Sequence, residues 1–174
     1  SYRPMILSNK KENSPDYEKN IIELYCIIIY LSIVQSIAFT ILAKPIIYLL
    51  YGQTFAPAIS ILRILIWFLA FSFMGNVRNV WILAEEKQKY LWIINLSGAL
   101  FNILLNAVMI PFLGAIGAAA ASLLTQIFTN FILGFIFKPI RKNNKLLLKA
   151  LNPRFAIKGA SKMLSLLKKK SENK

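Results

Sequence analysis

The chain has no histidine and a single cysteine, and only 7 of its 174 residues are acidic. Each scarcity excludes something. Without histidine, the commonest general base, proton shuttle and transition-metal ligand are lost together. One thiol, Cys26 within an apolar run, permits no internal disulfide framework and leaves the compartment unread. There is no Walker loop, no dinucleotide glycine pattern, no paired carboxylates, and no serine or cysteine beside an activating base. An enzyme is therefore not expected, and neither is a cofactor or a metal. The few acids avoid the apolar stretches: Glu23 stands at the edge of one, and Glu85 and Glu86 share a turn. A carboxylate relay for protons or sodium is not visible.

The most informative absence is a gap in charge. From Leu91 to Phe137 there is no Asp, Glu, Lys or Arg. The whole chain is 57% hydrophobic and 16% charged, with a mean hydropathy of +0.56, so lipid is the expected solvent for much of its surface. Apolar runs long enough to cross ~30 Å of hydrocarbon are expected at about 21–43, 57–84, 90–110 and 115–137. Pro57 suits a helix start. Lys44-Pro45 is expected to interrupt the first run, leaving Ile46 to Tyr51 as a short kinked or interfacial helix that Gly52 stops. The last two runs form a hairpin bent at Pro111–Gly117.

The expected fold is an all-α membrane protein with about four transmembrane helices in residues 21–137. Residues 1–20 form a polar loop in which Tyr2 to Leu7 reads as the frayed end of an earlier span, and 138–174 form a basic tail. Because the chain begins at Ser1, it is expected to be a piece of a longer protein. Lys10, Lys11, Lys19, Lys87, Lys89 and the tail fall on one side of the crossings, against Lys44 on the other, so the positive-inside rule puts both termini in the cytoplasm. Gly52-Gln53-Thr54 and Pro111–Gly117 are then expected to face outward.

Most of the net charge of +14 lies in the tail. Arg154, Lys158 and Lys162 recur every fourth residue, the pattern of a basic amphipathic helix lying on an anionic inner leaflet. A solvated, solubilising tail is the other reading. Nucleic-acid binding also fits a pI near 10.0, but a tail joined to membrane spans is already at a membrane.

Polar groups inside the spans are the candidates for function. Arg63 and Arg78 lie roughly 22 Å apart along a helix and about 60° apart around it. Arg63, Trp67, Ala70, Met74, Arg78 and Trp81 make one stripe. A charge within the bilayer costs at least about 2.5–3.5 kcal/mol at its centre, which favours an interior or water-filled setting. Each arginine also lies near enough to a helix end to snorkel to the headgroups. Asn95, Asn102 and Asn106 fall within roughly 20° of one line. Thr125, Gln126, Thr129 and Asn130 follow on the second arm of the hairpin. These amides can glue helix to helix at about 0.6 kcal/mol each, or meet sugar hydroxyls in a polar cavity. The stripe Gly117, Ala121, Thr125, Thr129 reads as a close-packing face.

Two blocks of residues carry a resemblance. One is Lys44-Pro45-Ile46-Ile47 with Tyr51-Gly52, Phe55 and Ala58; the other is Asn102, Asn106, Ile110-Pro111, Gly114 and Gly117-Ala118-Ala119. Over about Ser1 to Phe137 the chain resembles the C-terminal part of bacterial polysaccharide flippases, such as O-antigen unit translocases. These belong to the multidrug/oligosaccharidyl-lipid/polysaccharide exporter superfamily. The resemblance implies a transporter of roughly twelve or more crossings in two bundles, with this piece supplying the end of the second bundle and a missing N-terminal part supplying the rest. It implies transport of an undecaprenyl-diphosphate-linked oligosaccharide across the bacterial inner membrane by alternating access, without a catalytic residue. Arg63, Arg78, Asn95, Asn102, Asn106, Gln126 and Asn130 are the substrate-cavity candidates, assigned by chemistry and not by a matched motif. A drug or cation antiporter of the same superfamily would want an intramembrane acid, which is not seen here. A non-transporting membrane scaffold would more naturally lack the arginine and asparagine lines.

Overall fold

The computed structural model describes residues 16–152. The loop over 1–15 and the expected leaflet contacts Arg154, Lys158 and Lys162 lie outside the described residues. Helix accounts for 93% of the structure, and no strand occurs among the described residues. Three helical stretches are long and apolar enough to cross a membrane, so this is a helical membrane protein.

The first stretch is α1, Tyr17–Tyr51. The interruption expected at Lys44-Pro45 does not occur, and the helix carries Pro45 in its interior. Proline removes one N–H and crowds the carbonyl four residues back. In an apolar medium, breaking the helix would strand several more backbone groups, so continuing is the smaller cost. Gly52 then ends α1 at φ 79°, with its N–H donating to Tyr48 O at 3.1 Å. A side chain rarely adopts that backbone angle. A short 3-10 turn, Gln53–Phe55, leads to α2, Ala58–Ala84, which packs antiparallel to α1. The next turn holds Glu86 at φ 55° and leads through Gln88–Tyr90 to α3.

Helix α3, Leu91–Ile127, is helical throughout except at Gly114, whose φ of 54° and ψ of −132° lie outside the helical region. In a straight helix, residues 102 and 125 would stand ~35 Å apart. Instead Asn102 Nδ2 lies 3.1 Å from Thr125 Oγ1, and the rings of Phe101 and Phe128 stack at 4.2 Å. The chain has therefore doubled back. The third apolar stretch is two antiparallel arms, each of a length to cross the bilayer. A Cβ on Gly117 would collide with the Met109 carbonyl, and one on Gly98 would lie 2.8 Å from the Thr129 methyl. Small residues at these points let the arms touch.

The second arm widens into a π-turn at Phe128–Ile132, continues as α4, Leu133–Ile136, and breaks at Phe137. A 3-10 turn, Lys138–Ile140, leads to α5, Arg141–Ala150. The beginning of the segment read as a tail is thus a packed helix. Its Leu146 and Leu147 join Ile21, Tyr25 and Ile29 of α1 and Trp81 and Ile82 of α2 in one core. That core sits at the end where α1 begins. At the opposite end, with the tip of α1 and the hairpin bend, large apolar side chains such as Leu49, Leu50 and Phe112 are exposed.

Candidate functional site

Polar groups within the spans gather in three places. The first surrounds Arg78 on α2, which is only 7% exposed. Its Nη1 donates to Thr129 O at 2.9 Å and to Asn130 Oδ1 at 3.0 Å. Asn130 Nδ2 in turn donates to Phe71 O at 2.8 Å and Gln126 Oε1 at 3.1 Å. The π-turn explains why a carbonyl is available here. Widening the helix misaligns its i to i−4 ladder and leaves acceptors unmet, which an apolar medium penalises. Arg78 takes up Thr129 O, and Asn144 of α5 takes up Phe131 O at 2.7 Å. Gly75 makes the approach fit, since a Cβ there would lie 3.0 Å from Asn130 Oδ1. Both recorded acceptors of Arg78 are neutral, and its buried Nε has no partner among the described residues. This arginine neither snorkels nor lines an open space. It locks α2 to the hairpin.

The second place is the hairpin itself. Asn106 Nδ2 donates to Asn102 Oδ1 at 2.9 Å, and Asn102 Nδ2 donates across to Thr125. Thr125 donates to Ala121 O at 2.8 Å, so the bridge is anchored on the second arm. Asn95 does not join and is exposed. Of the expected asparagine line, two members form a bridge and the third looks outward.

The third place is a groove of about 240 Å³ between α1 and α2, lined by Ser32, Gln35 and Ser36 with Phe39, Leu62, Ile66, Ala70 and Phe73 among its apolar walls. Ser36 donates to Ile66 O at 3.4 Å. Next in sequence to the lining residues Leu62 and Phe39, Arg63 donates from Nε to Thr40 O at 3.2 Å. Arg63 is exposed, and its two terminal nitrogens have no partner among the described residues. No residue expected to line a cavity lines this groove. Ser32 and Ser36 were not singled out from the sequence, although their spacing of one helical turn, with Gln35 beside them, was a legible signal.

Outside the spans, α5 is fixed by side-chain bonds. Tyr25 Oη donates to Asn143 Oδ1 at 2.8 Å, and Cys26 Sγ donates to Ala150 O at 3.3 Å. Lys142 pairs with Glu18 at 2.7 Å, and this carboxylate holds the ammonium above its usual lysine pKa. Comparison of the chain with family models, with curated proteins and with solved structures gives no match.

Proposed function

We propose that this chain is part of a bacterial transporter that moves a lipid-diphosphate-linked oligosaccharide across the inner membrane without covalent chemistry, and that Arg63 meets the diphosphate. The observation that carries the reading is the difference between the two arginines. Arg78 is buried and bonded between helices, whereas Arg63 is exposed, with no partner for its terminal nitrogens among the described residues, beside a groove that holds Ser32, Gln35 and Ser36. A guanidinium fork suits phosphate oxygens, and serine and glutamine side chains suit sugar hydroxyls. The apolar walls suit a lipid that stays in hydrocarbon during transfer.

The resemblance supports the architecture in this reading. Its two blocks coincide with the features that shape the exposed end, Gly52 at φ 79° and Gly114 at φ 54°, so they speak for architecture more than for cargo. In this reading both termini are cytoplasmic, the tail with Arg154, Lys158 and Lys162 faces anionic lipid, and a missing N-terminal part of the same protein supplies the other wall of the cavity.

Export of surface polysaccharide in cells lacking their own flippase tests the proposal, with each variant compared at equal membrane level in the intact transporter. Arg63→Ala is expected to reduce export roughly tenfold or more, and Arg63→Lys to retain part of it, because lysine keeps the charge and loses the fork. Full export by Arg63→Ala would assign Arg63 to anchoring at the headgroups.

A further inference from the structure

The face of α5 turned away from the core has no role in the transport reading. Its inward face is settled by contacts: Asn143 on Tyr25, Asn144 on Phe131 O, Ala150 O on Cys26, and buried Leu146 and Leu147. At ~100° per residue, Arg141, Lys142, Lys145 and Lys149 then fall within an arc of about 100° on the other side. All four are exposed. Two of them are partly engaged, Arg141 through Nε to Phe135 O at 3.0 Å and Lys142 with Glu18. Lys145 and Lys149 have no hydrogen bond or ion pair among the described residues.

Beside this row of cations lies exposed apolar surface. Leu148 borders it on the Arg141 side, exposed Leu151 follows at the end of the helix, and Ile136, 66% exposed, precedes it at the end of the hairpin arm. A solvated face would not need that apolar border, and a free phosphate or a nucleic acid would use only the cations. A phospholipid uses both, with its phosphate on the ammonium groups and its chains against the leucines. We propose that Arg141, Lys145 and Lys149 form a binding site for the headgroup of an anionic phospholipid. The site is carried on a rigidly packed helix and is separate from the tail beyond residue 152.

The proposal requires that the long helices span a bilayer but not that the protein transports anything. Occupancy would have a structural consequence, because α5 also holds α1 through Tyr25 and the π-turn through Asn144. A lipid that binds only the docked helix stabilises both contacts by mass action.

The test uses the full chain purified in neutral detergent, with phosphatidylglycerol or phosphatidylcholine added, reading retained lipid by native mass spectrometry and thermal unfolding in parallel. Phosphatidylglycerol is expected to be retained and to raise the unfolding temperature, while phosphatidylcholine does neither. Lys145→Gln with Lys149→Gln should weaken that retention about tenfold or more, with unfolding in phosphatidylcholine unchanged. Lys168→Gln with Lys169→Gln, in the tail, should leave most of the retention in place. Equal retention by the α5 variant overturns the proposal, as does loss of all retention in the tail variant. Displacement by millimolar inorganic phosphate would show a free-anion site and overturn it too.

Discussion

At the end where α1 begins, Tyr25 and Trp81 are wholly buried; at the end where it stops, Leu49 and Phe112 expose 87% and 84% of their surface. The two ends differ in charge, with Glu18, Lys19, Glu23, Lys87, Lys89 and Lys142 at the first against Lys44 at the second, and they differ again in where their polar groups point. At the closed end Arg78, Asn130, Asn143, Asn144 and Tyr25 each bond to another helix. Farther toward the open end Gln35 lines a groove, and the terminal nitrogens of Arg63 beside it have no partner among the described residues. Lipid chains solvate leucine as well as another helix does, so apolar surface alone does not hold membrane helices together. Interhelical hydrogen bonds and small-residue contacts do. Where they are dense the helices close, and where they thin out a groove remains that a substrate or a further helix can enter.

Three tests bear on that contrast. The largest effect is expected from Arg78→Ala, which strands Thr129 O and removes a partner of Asn130 in a dry setting. Unfolding in detergent should show a loss of about 3 kcal/mol, and Arg78→Lys should restore only part, since one ammonium does not reproduce the forked donor. A loss below about 0.5 kcal/mol, the usual range for surface changes, would mean that the closed end does not depend on this lock.

Next is Gly117→Val, which puts a side chain into the Met109 carbonyl. A cost of roughly 2 kcal/mol is expected. The sharper readout is covalent: with Asn102→Cys and Thr125→Cys in a Cys26→Ser background, the two arms should cross-link readily, and Gly117→Val should slow this. Failure of the parent pair to cross-link would show that the arms do not lie side by side.

The smallest effect belongs to Glu18 and Lys142, whose side chains are 45% and 53% exposed. Exchanging them as Glu18→Lys with Lys142→Glu should change stability by less than about 1 kcal/mol. Either single change should lower it slightly by setting like charges together. A large loss from the exchange would make α5 docking electrostatic, and not a matter of Asn143, Asn144 and the leucines.

The sequence by itself determined the class of molecule and the places where its chain turns. A stretch from Leu91 to Phe137 without charge, and without the apolar-polar alternation of a barrel strand, reads as helical in lipid, where each backbone group must find a partner within the protein. The bend within Pro111–Gly117 was legible for the same local reason: glycine alone accepts the backbone angle found at Gly114. What local pattern could not decide was which helix each polar group would meet. Arg63 and Arg78 share one stripe of α2, yet the tertiary structure sets one against a π-turn carbonyl and leaves the other in the open. Asn95 and Asn102 share one line of α3, yet only Asn102 finds a threonine across the hairpin. Lys44-Pro45 looked like a break because proline removes a local bond, but the apolar surroundings make ending the helix the larger loss. Residues 141–150 looked like tail because their charges stand out, while two asparagines and two leucines on the other face decide that the helix docks. Turns and solvent are set by neighbours in the chain; partners are set by neighbours in space.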